Sequence, residues 1–242
     1  MTRQRSTTFD TRTHYTRSWT ARLQAGRYDA GDAEASITMI EMSGLFTHGK
    51  KLLELGCGDG TIAQYLYEQG HDIAASDLAL PALLAAQQRC PGLKVFCATG
   101  TRLPYDDHTL DIVMSFDVVE HLPDIDAHFQ EIWRILKPGG VYLFHTPNIF
   151  TNAIHEMIKC RGFAWRRYHC SLQSAWSLRR RLQRHGFTNL QWLYIPPVTE
   201  ARLDRVAPVV RWLLRRIPWN NLPIWMHTNF HLIAQKPDHT VT

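Results

Sequence analysis

Lys51-Leu52-Leu53-Glu54-Leu55-Gly56-Cys57-Gly58-Asp59-Gly60-Thr61 decides how this chain folds. Its first five residues are short and apolar, the mark of a buried strand. Three glycines at alternate positions follow. Thr61 to Gln69 then reads as a helix, with Gly70 a plausible stop. A strand that runs through a glycine-rich turn into a helix opens a βαβ unit. Glycine lets the backbone turn tightly and approach a ligand with no Cβ in the way. The N–H groups that begin the helix offer hydrogen bonds to a carboxylate. Glu54 supplies negative charge where a cationic amino group can sit.

The alternation of strands and helices continues outward. Ile73 to Ser76 is a second strand, and Pro81 to Arg89 an Ala/Leu/Gln helix closed by Pro91-Gly92. Lys94 to Cys97 and Asp111 to Phe116 read as strands three and four. Ile125, Phe129, Ile132 and Leu136 stand at i, i+4, i+7 and i+11, one apolar helical stripe. Asp124 can cap that helix, and Lys137-Pro138-Gly139-Gly140 ends it. Val141 to Thr146 is strand five, broken by Pro147-Asn148. Beyond 148 the pattern loosens. Ser171 to His185 reads as a basic helix stopped by Gly186, Leu190 to Ile195 as strand six and Asn229 to Gln235 as the last strand. The expected organisation is a single α/β domain over 1–242. Residues 1–49 form a helical lid, 50–147 the core, 148–228 an elaborated substrate side and 229–236 the last strand.

Composition narrows the function. Of 242 residues, 45% are hydrophobic and 20% charged, enough for a real core. No apolar run approaches the ~18 residues of a spanning helix. The N-terminus is polar, reads as a disordered start and lacks a secretory signal. The five cysteines are odd in number with no CxxC pair, so neither a disulfide framework nor a zinc site is indicated. The thirteen histidines form no HExxH pair, and no metal is expected. A reducing, cytoplasmic setting fits. The net charge of +5 is uneven: residues 161–216 hold twelve arginines against Glu200 and Asp204. Such a stretch is either a solvated face or a surface for an anionic partner.

Glu54-x-Gly56-x-Gly58-x-Gly60 differs from the GxGxxG/A fingerprint of nicotinamide dehydrogenases, because Thr61 takes the sixth position. With its alternating glycines and preceding acid, the chain from about 50 to 147 resembles the class I S-adenosylmethionine (SAM)-dependent methyltransferases. Phe116-Asp117-Val118-Val119-Glu120-His121-Leu122-Pro123-Asp124 resembles the strand-four end of the ubiquinone-biosynthesis O-methyltransferase branch. Leu136 to Gly140 and Thr146-Pro147-Asn148 continue that likeness. The resemblance implies a Rossmann-like seven-stranded, mostly parallel sheet with helices on both faces and an antiparallel last strand. It implies SAM as cofactor, S-adenosylhomocysteine as product, and contacts from Glu54, Gly56, Cys57, Gly58 and Phe116, with Cys57 lending its backbone. Asp77 ends strand two, where a carboxylate can accept two ribose hydroxyls; its alternative is a helix cap. Leu78 is placed to pack on adenine. Thr99 stands where the family carries an Asp, which shifts weight to the backbone of Gly100.

Methyl transfer needs alignment above all, and a base when the acceptor is a hydroxyl or an activated carbon. His121, at the carboxyl end of strand four, is the candidate base; its alternative is a backbone hydrogen bond at a helix entry. Glu120 cements the loop in this reading, and His145 and Tyr168-His169 are weaker candidates to line the acceptor pocket. The acceptor expected is small or lipid-like, oxygen first, carbon or nitrogen second. Two rival readings are a SAM-binding assembly or regulatory protein without turnover, and a nicotinamide-dependent oxidoreductase. Over 202–217, Leu203, Val206, Ala207, Val210, Leu213, Leu214 and Ile217 share one helical face with arginines outside it, and Pro208 is expected to kink or split the helix. With Trp219 and Trp225 following, residues 202–225 read either as a cap over the site or as a peripheral contact with anionic membrane. Nucleic acid is not the expected partner.

Overall fold

The computed structural model describes residues 10–26, 30–195, 208–216, 218 and 221–238. Seven strands form one sheet: β1 (Lys51–Leu55), β2 (Asp72–Asp77), β3 (Lys94–Cys97), β4 (Leu110–Phe116), β5 (Leu136–Pro147), β6 (Thr188–Leu193) and β7 (Asn229–Gln235). Their order is β3-β2-β1-β4-β5-β7-β6. Every pairing from β3 to β5 is parallel, and β7 lies antiparallel between β5 and β6. The helices are α1 (Thr11–Gln24), α2 (Ala30–Ser43), α3 (Thr61–Glu68), α4 (Leu80–Arg89), α5 (Ile125–Ile135), α6 (Ile149–Lys159), α7 (Ala175–Arg184) and α8 (Pro208–Arg216).

The strands are apolar on both sides because both faces of the sheet are covered. Ile112 and Met114 of β4 pack with Leu52, Ile62 and Leu66 on one face. Val113 joins Leu53, Phe129, Ile132 and Phe144 on the other. The strand order turns back at β1 and β4. In open α/β sheets, ligands bind beyond the carboxyl ends of the strands at such a point.

The expected elements appear with three corrections. Strand five starts at Leu136 rather than Val141: Leu136 pairs with Leu110 before a register shift, and Gly139, at φ +74°, absorbs the irregularity. Strand six lies over 188–193, two residues earlier than read. The basic helix begins at Ala175, not Ser171, because Ser174 caps it in a reciprocal arrangement with Ser177. Pro208 is the first residue of α8, where a missing N–H costs no bond; whether it splits a longer helix turns on residues outside the described ones. Residues 202–207, 217, 219 and 220 of the basic amphipathic stretch lie outside the described residues, as does the start expected to be disordered, 1–9. Among the described residues, no helix is long and apolar enough to cross a membrane.

Helix α6 was not legible in the sequence. Asn148 caps it by accepting the Phe150 N–H at 3.1 Å. It is amphipathic in an inverted sense: Phe150, Ile154, Met157 and Ile158 are exposed while Glu156 is buried.

Candidate active site

The glycine turn is held from beneath. The Cys57 N–H donates to the Ser76 carbonyl at 3.0 Å. Asp77 accepts the Gly58 N–H at 3.0 Å on one oxygen and the Ala79 N–H at 2.8 Å on the other. Gly56, Gly58 and Gly60 have φ of +70°, +54° and +78°, conformations that side chains resist. At Gly60 a Cβ would lie 2.7 Å from Ala86 Cβ, so α3 and α4 could not approach as they do. At Gly58 it would lie 2.6 Å from the indole of Trp19.

Above this turn lies a cavity of about 770 Å³, within the usual range for ligand sites. Every residue singled out from the sequence as cofactor-binding lines it: Glu54, Gly56, Cys57, Gly58, Asp77, Leu78, Thr99, Gly100 and Phe116. His121 lines it too. His145, Tyr168 and His169, the weaker candidates for the acceptor side, are not among the residues that line it. His145 is drawn into the sheet instead, stacked on His231 at 4.9 Å.

The sequence reading missed the wall that α1 provides. Tyr15, Trp19 and Arg22 all face the cavity. They stand at i, i+4 and i+7, one face of a helix, and that spacing was the available signal. Few apolar residues accompany it, so no hydrophobic stripe drew attention to it. Asp10 caps α1 by accepting the Thr13 N–H at 3.2 Å.

Electrostatics divide the cavity. Glu54 is 2% exposed, and its Oε2 has no hydrogen-bond partner. Burial pushes its carboxyl up to about 8, with Asp59 and Asp77 adding negative charge nearby. A buried, half-satisfied carboxylate is costly, and a cationic ligand group would relieve that cost. Burial also raises Asp77, against the pull of the N–H groups it accepts. The Cys57 thiol is buried and pushed well above its usual range, which leaves it no nucleophilic role.

At the other end, His121 Nδ1 lies 2.7 Å from the Tyr168 carbonyl oxygen. A carbonyl only accepts, so Nδ1 carries the proton and Nε2 keeps its lone pair. Burial holds the imidazole below its ordinary pKa, hence neutral at pH 7. The Tyr15 ring meets it edge-on at 5.3 Å. Behind it, Glu120 is 1% exposed and accepts the Thr146 hydroxyl at 2.9 Å. Burial, then the charge of Asp117, drives its carboxyl well above the usual range. Its backbone carbonyl takes the Ser171 N–H at 2.9 Å, so Glu120 also ties the loop to the later chain.

This strand order, with a glycine turn at the switch point, is the architecture of one nucleoside-cofactor class. Residues 53–144 match the methyltransferase domain family. The chain is 32% identical over 143 residues to the malonyl-[acyl-carrier protein] O-methyltransferase of Serratia marcescens, covering 58% of this chain and 54% of that protein. It is 32% identical over 117 residues to the ubiquinone biosynthesis O-methyltransferase of Aliivibrio fischeri, covering 44% and 47%. The chain thus spans about half the length of these curated relatives. Among solved structures, Haemonchus contortus phosphoethanolamine N-methyltransferase 2, in complex with phosphomonomethylethanolamine and S-adenosylhomocysteine, shares the fold. Its TM-score is 0.68 at 17% identity, covering 94% of this chain and 61% of that one. Residues 53–144 thus carry the methyltransferase domain, on the fold that SAM-dependent methyltransferases share.

Proposed function

We propose that this chain transfers the methyl group of SAM to a hydroxyl of a small or lipid-like acceptor. The carrying observation is the unpartnered, buried Glu54 oxygen beside the glycine turn. It suits the amino group of the cofactor's methionine part. Asp77 retains lone pairs for the ribose, Leu78 and Phe116 offer apolar surface to adenine, and the backbone at Thr99-Gly100 faces its edge. Tyr15, Trp19 and Arg22 close the cavity and keep water from the reacting atoms.

SAM, when bound, supplies a methyl already activated by its sulfonium. The acceptor oxygen forms the new O–C bond, the C–S bond breaks with its electron pair returning to sulfur, and the hydroxyl proton leaves. His121 Nε2 is the neutral nitrogen able to take that proton. An oxygen acceptor is favoured by this group and by the O-methyltransferases among the relatives.

The surface around α6 supports a membrane-dissolved acceptor and peripheral docking. Phe150, Ile154, Ile158, Phe163 and Trp225 are each more than half exposed. Arg161, Arg166 and Arg167 flank them, and Glu156, the acid of α6, is turned inward.

Thermal-shift titration with SAM, S-adenosylhomocysteine and NAD tests the class, since a ligand that binds the native state raises its apparent stability. SAM and S-adenosylhomocysteine are expected to stabilise the protein, and NAD is not. Stabilisation by NAD alone would sink the proposal. With an acceptor in hand, His121→Ala is expected to lower turnover by about 10²–10⁴ while SAM affinity holds. An undiminished rate would make His121 a structural residue.

A further inference from the structure

His128 is fully buried, although nothing in the proposed reaction uses it. It stands on α5, beside the loop that follows β3. Its Nδ1 lies 2.6 Å from the Gly100 carbonyl oxygen, and its Nε2 lies 2.9 Å from the Tyr142 hydroxyl. That hydroxyl is in turn 2.6 Å from the hydroxyl of Ser115. Tyr142 and Ser115 are as fully buried as His128.

The direction of each bond is determined. Burial lowers the imidazole to about 4, so it is neutral at pH 7. The Gly100 carbonyl only accepts, which places the proton on Nδ1 and leaves Nε2 a lone pair. Tyr142 therefore donates to Nε2, and Ser115 donates to Tyr142. Every bond in the chain runs toward the Gly100 carbonyl. A buried polar network that is fully satisfied is rigid and specifies one arrangement. A Cβ on Gly100 would lie 3.0 Å from Nδ1, so the missing side chain lets the ring reach the carbonyl.

The same loop is held at two further points. The Thr99 carbonyl accepts the Arg102 N–H at 3.2 Å. Glu131, one turn along α5, accepts the Leu103 N–H at 2.7 Å. With the carbonyls of Thr99 and Gly100 both fixed, the peptide planes on either side of Gly100 are fixed. In a trans peptide the N–H lies opposite the carbonyl, so the N–H groups of Gly100 and Thr101 are fixed as well. Both residues line the cavity. Thr99 stands where the resemblance implies an Asp. Without that carboxylate the backbone carries more of the base recognition, and its orientation matters more.

We infer that His128 is a positioning residue: through the Gly100 carbonyl it aims the loop's N–H groups at the cofactor's base and makes the site specific for adenine. Adenine offers a lone pair at N1, which an N–H can meet. Hypoxanthine carries a proton at N1, so donor would face donor. The inference rests on the methyltransferase reading of the cavity.

The test is calorimetric binding of S-adenosylhomocysteine and of its deaminated analogue, S-inosylhomocysteine, to the full chain. Wild type is expected to favour the adenine ligand by at least about 100-fold, as sites built around a hydrogen bond do. His128→Phe keeps a ring but no donor. It should weaken S-adenosylhomocysteine binding about tenfold and bring the ratio between the ligands below about tenfold. His128→Asn puts an amide N–H near the place of Nδ1 and should restore most of the ratio, which a mere loss of packing would not allow. Tyr142 keeps Ser115 as a partner in each variant. Circular dichroism identifies a variant that does not fold; His128→Leu then reads the same ratio, and failing that the wild-type preference decides alone. Equal binding of both ligands to wild type, or an unaltered ratio in a folded His128→Phe, overturns the role of His128. No binding of S-adenosylhomocysteine to wild type sinks the methyltransferase reading itself.

Discussion

Glu54 is charged at pH 7 in an unfolded chain but largely protonated in the native one, where burial raises it to about 8. Between about 4 and 8 the native state holds a proton that the unfolded state has lost, so this group's contribution falls as pH rises through that window. A cationic amino group arriving beside Glu54 favours the carboxylate and expels the proton. SAM binding at pH 7 is therefore expected to release protons, read as a calorimetric enthalpy that varies with the buffer's heat of ionisation. Glu54→Gln should abolish the release and weaken binding by roughly one to two decades. Buffer-independent heats in the wild type would place the cofactor's amino group elsewhere. Asp77 has a structural duty beside the ribose contact proposed for it. Its position at the end of β2 suggested a ribose contact, but its bonds to Gly58 and Ala79 join residues across the turn, a relation visible only in three dimensions. Asp77→Ala is expected to lose about 2–4 kcal/mol of stability as well as SAM affinity, because two buried N–H groups lose a charged acceptor. Unchanged chemical denaturation would contradict the clasp.

At the scale of elements, legibility followed burial. The strands and α5 were readable because each is covered and its apolar period reports the cover. Helix α6 has the right period but turns its apolar side outward, so no core requirement marked it. Helix α1 has no buried residue at all and announces itself only by Tyr15, Trp19 and Arg22. An element with so little buried surface opens readily, and a ligand beneath it should hold it down. Trypsin cleavage within α1, at Arg12, Arg17 or Arg22, is expected to slow at least several-fold when S-adenosylhomocysteine saturates the protein. The test is a time course followed by mass spectrometry. Equal rates with and without ligand would show that α1 takes no part in closing the cavity.

Over the whole molecule, charge and apolar exposure gather beyond β5. The sequence located a candidate membrane contact at 202–225, where Val209, Trp212 and Trp225 are exposed; α6 adds Phe150, Ile154 and Ile158 to the exposed apolar side chains, and Phe163 follows it. Near an anionic surface each basic residue contributes ~1 kcal/mol within a Debye length. The protein is expected to sediment with anionic vesicles at low salt, less at moderate salt, and little with neutral vesicles. Ile154→Asp together with Ile158→Asp should reduce sedimentation several-fold. Retention of the wild type in the supernatant with both vesicle types would send the search for an acceptor to soluble metabolites.

The position of β7 governs how the chain can be made. Residues 229–235 fill the slot between β5 and β6, so β6, synthesised some forty residues earlier, has no neighbour until they arrive. On the ribosome, β1 to β5 can pair as they emerge, but the far edge of the sheet must wait for this late segment. Through that interval Phe144 and Leu143 of β5 lack their flanking strand. Nascent chains expose such edges to aggregation and to chaperones. A stop codon just before Asn229 would thus cost the sheet two of its seven strands, β7 directly and β6 through the loss of the strand it pairs with.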